Sequence, residues 1–375
     1  MREIKFVDLK KQYDSIQEEI DWVIQDVIHK SVFYKGEYVE KFEQEWRKAH
    51  NRDYCIGVAN ATDGLFLTLK ALGIGEYDTV IVPTNTFIAT AEAVNHTGAV
   101  PTFVDCDPMS YNIDVDKIED AVTGNTKAII PVHMYGQLCD MKAISEIASK
   151  YGLAVIEDCA HAHFAEDKDG HKAGTFGVAG VHSFYPGKIL GAYGDAGAVI
   201  TDDRKLAMQI RLLANHGTVA KFDHNLIGYS SRLDGLQAGV LSVKLGHLSD
   251  WIRKRSASAS YYNHLLGTEV ACPEIMEPEA VLSHVFHLYV VRVSDIYRYR
   301  IKMELSKRGI QTGIHYPKAL HNAVPYKGLS NYYDFPIANS YQNSILSLPI
   351  YPEISSQDIE YVADNLIELV KEFPV

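Results

Sequence analysis

The stretch Ala154-Val155-Ile156-Glu157-Asp158-Cys159-Ala160-His161-Ala162-His163 opens as an apolar, β-branched run, closes that run with acids and continues through small residues and histidines. Its first residues predict a short buried strand over 154–156, with Asp158 at the strand's carboxyl end. Runs of the same kind lie on either side, at Tyr54 to Val58, Val80 to Val82, Pro101 to Val104, Ala128 to Pro131, Gly180 to Phe184 and Ala198 to Thr201. Helical stretches alternate with them. Strands apolar on both faces and separated by helices predict an α/β fold with a mostly parallel sheet and right-handed crossovers. Ligand sites in such sheets lie beyond the carboxyl ends of the strands, where every chemically suggestive residue of this chain falls.

Toward the N-terminus, Ile16, Ile20, Val23, Ile24 and Ile28 recur at helical spacing, and Val39, Phe42 and Trp46 repeat the pattern. Two amphipathic helices therefore lead into the sheet. Beyond residue 240 the text changes to a long helix, from Leu236 to about Tyr262, then strand-like Leu288 to Val293, a helix near Arg298 to Arg308, and a last helix from about Gln357 to Phe373. Ser355 and Asp358 stand at capping-box spacing before that last helix. A chain of 375 residues exceeds one ordinary core. The expected division is a large domain with its N-terminal helices over 1–245 and a smaller C-terminal α+β domain over 246–375.

Composition excludes several classes. Hydrophobic residues at 47% and charged residues at 22% are those of a folded globular protein. The net charge of −12, with no basic run, argues against a nucleic-acid partner. The five cysteines form no C-x-x-C, so neither a zinc site nor a disulfide framework is encoded, and no metal is expected. The N-terminus lacks an apolar signal region, and no apolar run approaches the ~20 residues of a membrane span. These features predict a cytoplasmic protein without a membrane partner.

The chemistry-bearing residues follow the strands. His182-Ser183-Phe184-Tyr185-Pro186-Gly187-Lys188 sets Lys188 just after a strand, with Ser183 five residues before it and glycines beyond. An amine and an acid, Lys188 and Asp158, at the ends of neighbouring strands form the pairing that pyridoxal phosphate chemistry needs. Asp158 would keep a pyridinium nitrogen protonated, so that the ring can absorb carbanion electrons; a helix cap is the plainer role for such an acid. Asn60-Ala61-Thr62-Asp63-Gly64 follows a strand and opens a helix, where free N–H groups and the Thr62 hydroxyl suit a phosphate, although Thr62 also suits an N-cap. Phe87, in Pro83 to Thr90, offers a ring face to a flat heteroaromatic, or a core side chain. His161 lies one turn beyond Asp158 and is the better placed of the two histidines there for contact with the cofactor ring.

With these motifs on the page, the chain resembles the DegT/StrS-type nucleotide-sugar aminotransferases, pyridoxal 5'-phosphate enzymes of the aspartate-aminotransferase fold (fold type I). The resemblance runs from Phe6-Val7-Asp8-Leu9 through Gly75, Pro83 to Thr90, Asp158 to His163, Ser183 to Gly197, Arg232-Leu233-Asp234 and Thr312-Gly313-Ile314-His315-Tyr316-Pro317 to the C-terminus. It implies Lys188 as the Schiff-base lysine and general base, Asp158 as the pyridinium partner, and Phe87 as the stacking aromatic. Ala61, Thr62 and Ser183 would be phosphate ligands, and His161 would lie close to the ring hydroxyl. His315 and Tyr316, with His321 beyond them, would lie near the sugar; buried packing is the alternative for His315 and Tyr316. The implied substrates are glutamate and a nucleotide-linked ketosugar, in a homodimer with shared active sites.

Likeness to enzymes of 3-amino-3,6-dideoxyhexose synthesis, at Asn215-His216-Gly217 and Leu226 to Tyr229, points to C-3 of a dTDP-linked 3-keto-6-deoxyhexose. A C-4 aminotransferase, a transaminase of a free cyclic ketone and a catalytically silent regulatory homologue are the alternatives. Three positions depart from the family pattern. Ser230 replaces an asparagine that reaches the other subunit's cofactor phosphate, Phe164 replaces a glycine, and Gly235 replaces a glutamate.

Overall fold

The computed structural model describes residues 2–280, 282–330 and 334–374. Its centre is a seven-stranded sheet built from β1 (Tyr54–Val58), β2 (Thr79–Pro83), β3 (Val100–Val104), β4 (Thr126–Ile129), β5 (Ala154–Asp158), β6 (Ala179–Ser183) and β7 (Gly197–Thr201), in the order β1-β7-β6-β5-β4-β2-β3. All seven expected strands are present. Six run parallel, and β7 alone is antiparallel to both its neighbours. The reversal matters for the site, because Gly197, the first residue of β7, pairs with both Val58 and Ser183 at the edge where the other strands end.

Helices cover both faces, as buried strands require. On one side α4 (Ala61–Ala71), α5 (Ala89–Thr97) and α7 (Arg204–Ala214) press Leu65, Val94, Ile210 and Leu213 against Ile56, Val58, Val80 and Val82. On the other, α3 (Glu37–Ala49) sets Phe42 and Trp46 against Cys55, Ala198 and Ile200, while α6 (Met141–Tyr151) sets Ile144 and Ala148 against Ile81, Ile129 and Val155. Within each strand, alternate residues thus serve opposite layers. Each of the larger side chains buried in this way stabilises the fold by about 1.5–3 kcal/mol.

The leading apolar repeat forms α1 (Leu9–Ser15) and α2 (Gln17–Lys30), which part at Ile16. In α2 the buried stripe is Ile20, Val23 and Val27; Ile28, expected on that stripe, is 52% exposed. A 3.6-residue repeat carries position 27, not 28, onto the face set by 20 and 23.

After the short β8 (Thr218–Ala220) and β9 (Asp223–His224), α8 runs unbroken from Gly235 to Leu266, so residue 245, the expected division, lies inside one helix. The C-terminal part adds β10 (Tyr289–Arg292), α9 (Arg298–Lys307), α10 (Pro336–Ser344), β11 (Ile345–Leu348) and α11 (Ser356–Glu372). Its core joins Tyr262 and Leu266 of α8 to Tyr289, Leu346, Val362 and Leu366. Ile4 enters the same core, held by its N–H to Gly309 O and its carbonyl to Gln311 N. Ser355 caps α11 by accepting from the Asp358 N–H at 3.1 Å. Gly235 starts α8 where a Cβ would lie 2.2 Å from Val32 O, so the backbone leading into α3 occupies the space a glutamate would need. No described helix is long and apolar enough to cross a membrane.

Candidate active site

The first turn of α4 provides an open set of donors. Asn60 is the N-cap: its Oδ1 accepts from the Asp63 N–H at 2.8 Å, so the cap that the sequence also allowed at Thr62 lies two residues earlier. Ala61 and Thr62 occupy the first helical positions, and their N–H groups find no acceptor among the described residues. Ser183 is brought beside them through Gly197, where a Cβ would fall 2.6 Å from Asn60 C and 2.8 Å from Ala61 N. Only glycine permits that approach. Free N–H groups at a helix N-terminus, flanked by the Thr62 and Ser183 hydroxyls, form a cradle for a phosphate.

Beside the cradle, Asp158 is buried at the end of β5. Its Oδ1 accepts from the Ala160 N–H at 3.1 Å and its Oδ2 from the Thr90 hydroxyl at 3.0 Å. Burial raises its pKa, against the pull of these two bonds and of the Lys188 charge. Lys188 is half-buried in the turn after β6, its N–H bonded to Tyr185 O at 2.8 Å. No described residue hydrogen-bonds its Nζ. Burial disfavours the ammonium and brings its pKa down to about 8, although Asp158 pulls the other way.

Phe87 precedes α5 and is 53% exposed, an unusual place for a core phenylalanine. Its ring centroid lies 5.5 Å from that of Tyr316, whose hydroxyl pKa is raised by burial and by Asp158.

The histidines divide by their partners. His161 is buried, and its Nδ1 accepts from the Tyr135 N–H at 3.3 Å, which places its own proton on Nε2. Burial and the nearby Lys188 hold it neutral. The same causes hold His315 at a pKa of about 4; its Nδ1 lies 2.8 Å from Ser347 Oγ, and its ring stacks on Phe6 at 5.5 Å.

His321 stands differently from the expected sugar contact. It is buried, its Nδ1 is 2.7 Å from Thr84 Oγ1, its Nε2 is 2.9 Å from Asn339 Oδ1, and its ring lies on Phe335. Both ring nitrogens are already engaged with protein, so His321 acts as an anchor. Ser230 lies apart on an exposed segment and accepts from Arg232 Nη2 at 2.9 Å. Phe164 takes φ +61°, the backbone that the family's glycine suits.

Two participants escaped the reading of the sequence. Thr90 shows only as a threonine four residues after Thr86, and Tyr135 only as an aromatic before a glycine. A free lysine, a buried acid facing it, an exposed aromatic ring and a helix-end phosphate cradle fit pyridoxal 5'-phosphate: Lys188 for its aldehyde, Asp158 for its ring nitrogen, and Ala61, Thr62 and Ser183 for its phosphate.

Comparison with known proteins agrees with that fit. Residues 14–367 match the DegT/DnrJ/EryC1/StrS aminotransferase family. The chain is 40% identical over 373 residues to a pleiotropic regulatory protein of Geobacillus stearothermophilus, covering 99% of each chain. It is 42% identical over 362 residues to the dTDP-3-amino-3,6-dideoxy-alpha-D-galactopyranose transaminase of Aneurinibacillus thermoaerophilus, covering 96% of this chain and 98% of that one. Among solved structures, DesV of S. venezuelae, in complex with a ketimine intermediate, superposes with a TM-score of 0.95 at 37% identity, covering 99% of both chains. Matched over residues 14–367 and alike along nearly its whole length to such enzymes, this chain belongs to the DegT/DnrJ/EryC1/StrS aminotransferase family and is a pyridoxal phosphate-dependent sugar aminotransferase.

Proposed function

We propose that the protein moves an amino group from glutamate to C-3 of a dTDP-linked 3-keto-6-deoxyhexose, working as a homodimer. The observation that carries the chemistry is the pair formed by Lys188, whose Nζ has no hydrogen-bond partner among the described residues, and the buried Asp158, which acts on it electrostatically. The 42% identity to a dTDP-3-aminosugar transaminase supports the choice of substrate.

When bound, pyridoxal phosphate supplies an aldehyde for amines and an electron sink for the carbanion left by proton loss. The residues of the chain do the rest. Asp158, once ionised, would hold the ring nitrogen charged; Phe87 would cover one ring face; Ala61, Thr62 and Ser183 would hold the phosphate. Nζ of Lys188, drawn toward its neutral form, takes the proton from the α-carbon of glutamate as general base. The same atom returns a proton at the sugar carbon in the second half-reaction. His315 and Tyr316 face the sugar from the C-terminal part.

Two segments expose apolar groups: the Lys188 loop, with Tyr185 at 58% and Tyr193 at 38%, and the segment that carries Ser230, with Phe222 at 85% and Ile227 at 90%. A second copy of the chain would cover them, with Ser230 turned to the partner's cofactor phosphate.

The test is to incubate the pure protein with glutamate and separate dTDP-, UDP- and GDP-ketosugars and identify the product by mass and NMR. A dTDP-3-aminosugar is expected. Amination at C-4, or preference for another nucleotide, would overturn the substrate reading while leaving the amino transfer intact.

A further inference from the structure

The segment His133-Met134-Tyr135-Gly136 follows β4 a few residues beyond its end, and its Tyr135 bonds both His161 and His315. Tyr135 takes φ +57°, a left-handed backbone that a bulky residue adopts only where its surroundings over-determine it. In this conformation two of its polar groups reach opposite walls. Its backbone N–H donates to His161 Nδ1 at 3.3 Å, and its phenol O–H donates to the main-chain carbonyl of His315 at 2.6 Å. Its carbonyl accepts from the Leu288 N–H at 3.2 Å, and the carbonyl of Gly136 accepts from Val285 at 2.9 Å, so the segment is pinned to the chain that leads into β10. A Cβ on Gly136, at φ +108°, would lie 3.0 Å from the backbone nitrogens of Phe286 and His287.

A buried tyrosine needs an acceptor for its hydroxyl, and for packing alone any carbonyl would serve. Here the acceptor belongs to His315, whose ring is held separately by Ser347 and Phe6. One strained residue therefore links the histidine beside Asp158 to the loop that carries His315 and Tyr316.

We propose that Tyr135 is a positioning residue for the ketosugar: its O–H holds the 313–317 loop at the distance where His315 and Tyr316 meet the sugar. Its N–H, by occupying Nδ1 of His161, leaves Nε2–H as the only ring donor. This inference rests on the reading of His315 as a sugar contact.

Tyr135→Phe keeps the ring and the N–H and deletes only the hydroxyl bond. The expected result is a rise of about five- to tenfold in KM for the nucleotide-linked ketosugar with kcat within about twofold, as for one lost hydrogen bond. Affinity for the nucleotide-linked aminosugar product, measured by calorimetry, should fall by the same factor. The glutamate half-reaction should be unchanged. Equal losses toward both substrates, or an unchanged ketosugar KM and product affinity, would overturn the assignment. His315→Ala separates the two claims. If it raises the ketosugar KM and Tyr135→Phe does not, the role of Tyr135 alone fails; if neither variant changes KM, the sugar-loop reading fails as well.

Discussion

At the scale of single residues, the two adjacent acids of β5 show how position assigns function. The Glu157 side chain has no exposure and accepts from the N–H groups of Gly174, Phe176 and Gly177, each at 2.7 Å, and lies 3.1 Å from His133 Nε2. The His133 Nδ1 accepts from the Cys139 N–H, so Nε2 carries the proton that Glu157 receives. Every lone pair of Glu157 is committed, three to the 174–177 loop and one to His133. Asp158, on the opposite face of the strand, has two donors and Lys188 within electrostatic reach. Lys188 itself carries a prediction: the neutral amine is the nucleophile, and its pKa lies near 8, not 10.5. The rate at which the apoprotein captures pyridoxal phosphate, followed by stopped-flow absorbance, should climb from pH 7 and level off above about pH 8. A rate still rising in proportion to hydroxide beyond pH 9.5 would show an ordinary, solvated lysine.

At the scale of elements, the strands were legible because each is a short apolar run buried on both faces, and the helices because their apolar residues return every three or four positions. The direction of β7 was not, since a strand covered on both sides reads the same whether its neighbours run with it or against it. Yet that reversal puts Gly197 between β1 and β6 and lets the first turn of α4 meet Ser183. Gly197→Ala should therefore weaken cofactor binding by about tenfold or more, because the intruding methyl displaces the Ala61 and Thr62 donors and a hydrogen bond to an ionised phosphate contributes about 1.5–3 kcal/mol. Titration of the apoprotein by fluorescence measures this, with thermal unfolding as the control. Unaltered affinity in a folded variant would remove the cradle from the phosphate.

At the scale of the whole molecule, the packing around Trp46 and the site keeps histidines neutral in the interior. Burial lowers His50, His163 and His284 to about 3 and His315 to about 4, and pushes His161, His182 and His287 down as well. In the unfolded chain these rings titrate near 6.5, so below that value the unfolded state binds more protons than the native state. Stability is full above about pH 6.5 and falls as the pH drops toward the native values, each histidine contributing about 1.4 kcal/mol per pH unit. Urea midpoints should thus decline steeply between pH 7 and pH 5; equal midpoints at those two values would mean that the rings are solvated. Nothing in the sequence marks His50, His284 and His287 as buried.

What the sequence determined by itself was the alternation of strands and helices, the strand-end places of Lys188, Asp158, Thr62 and Ser183, and the family, because apolar periodicity and short motifs are local properties of the chain. What only the tertiary structure decided was which side chains still have free groups once the chain has folded: His321 was spent on Thr84 and Asn339, Glu157 on its loop and His133, while Lys188 kept an amine unbonded among the described residues and Tyr135 came to join His161 to His315. The reason is physical. A hydrogen bond between residues 180 positions apart depends on how layers pack, and no local pattern records it.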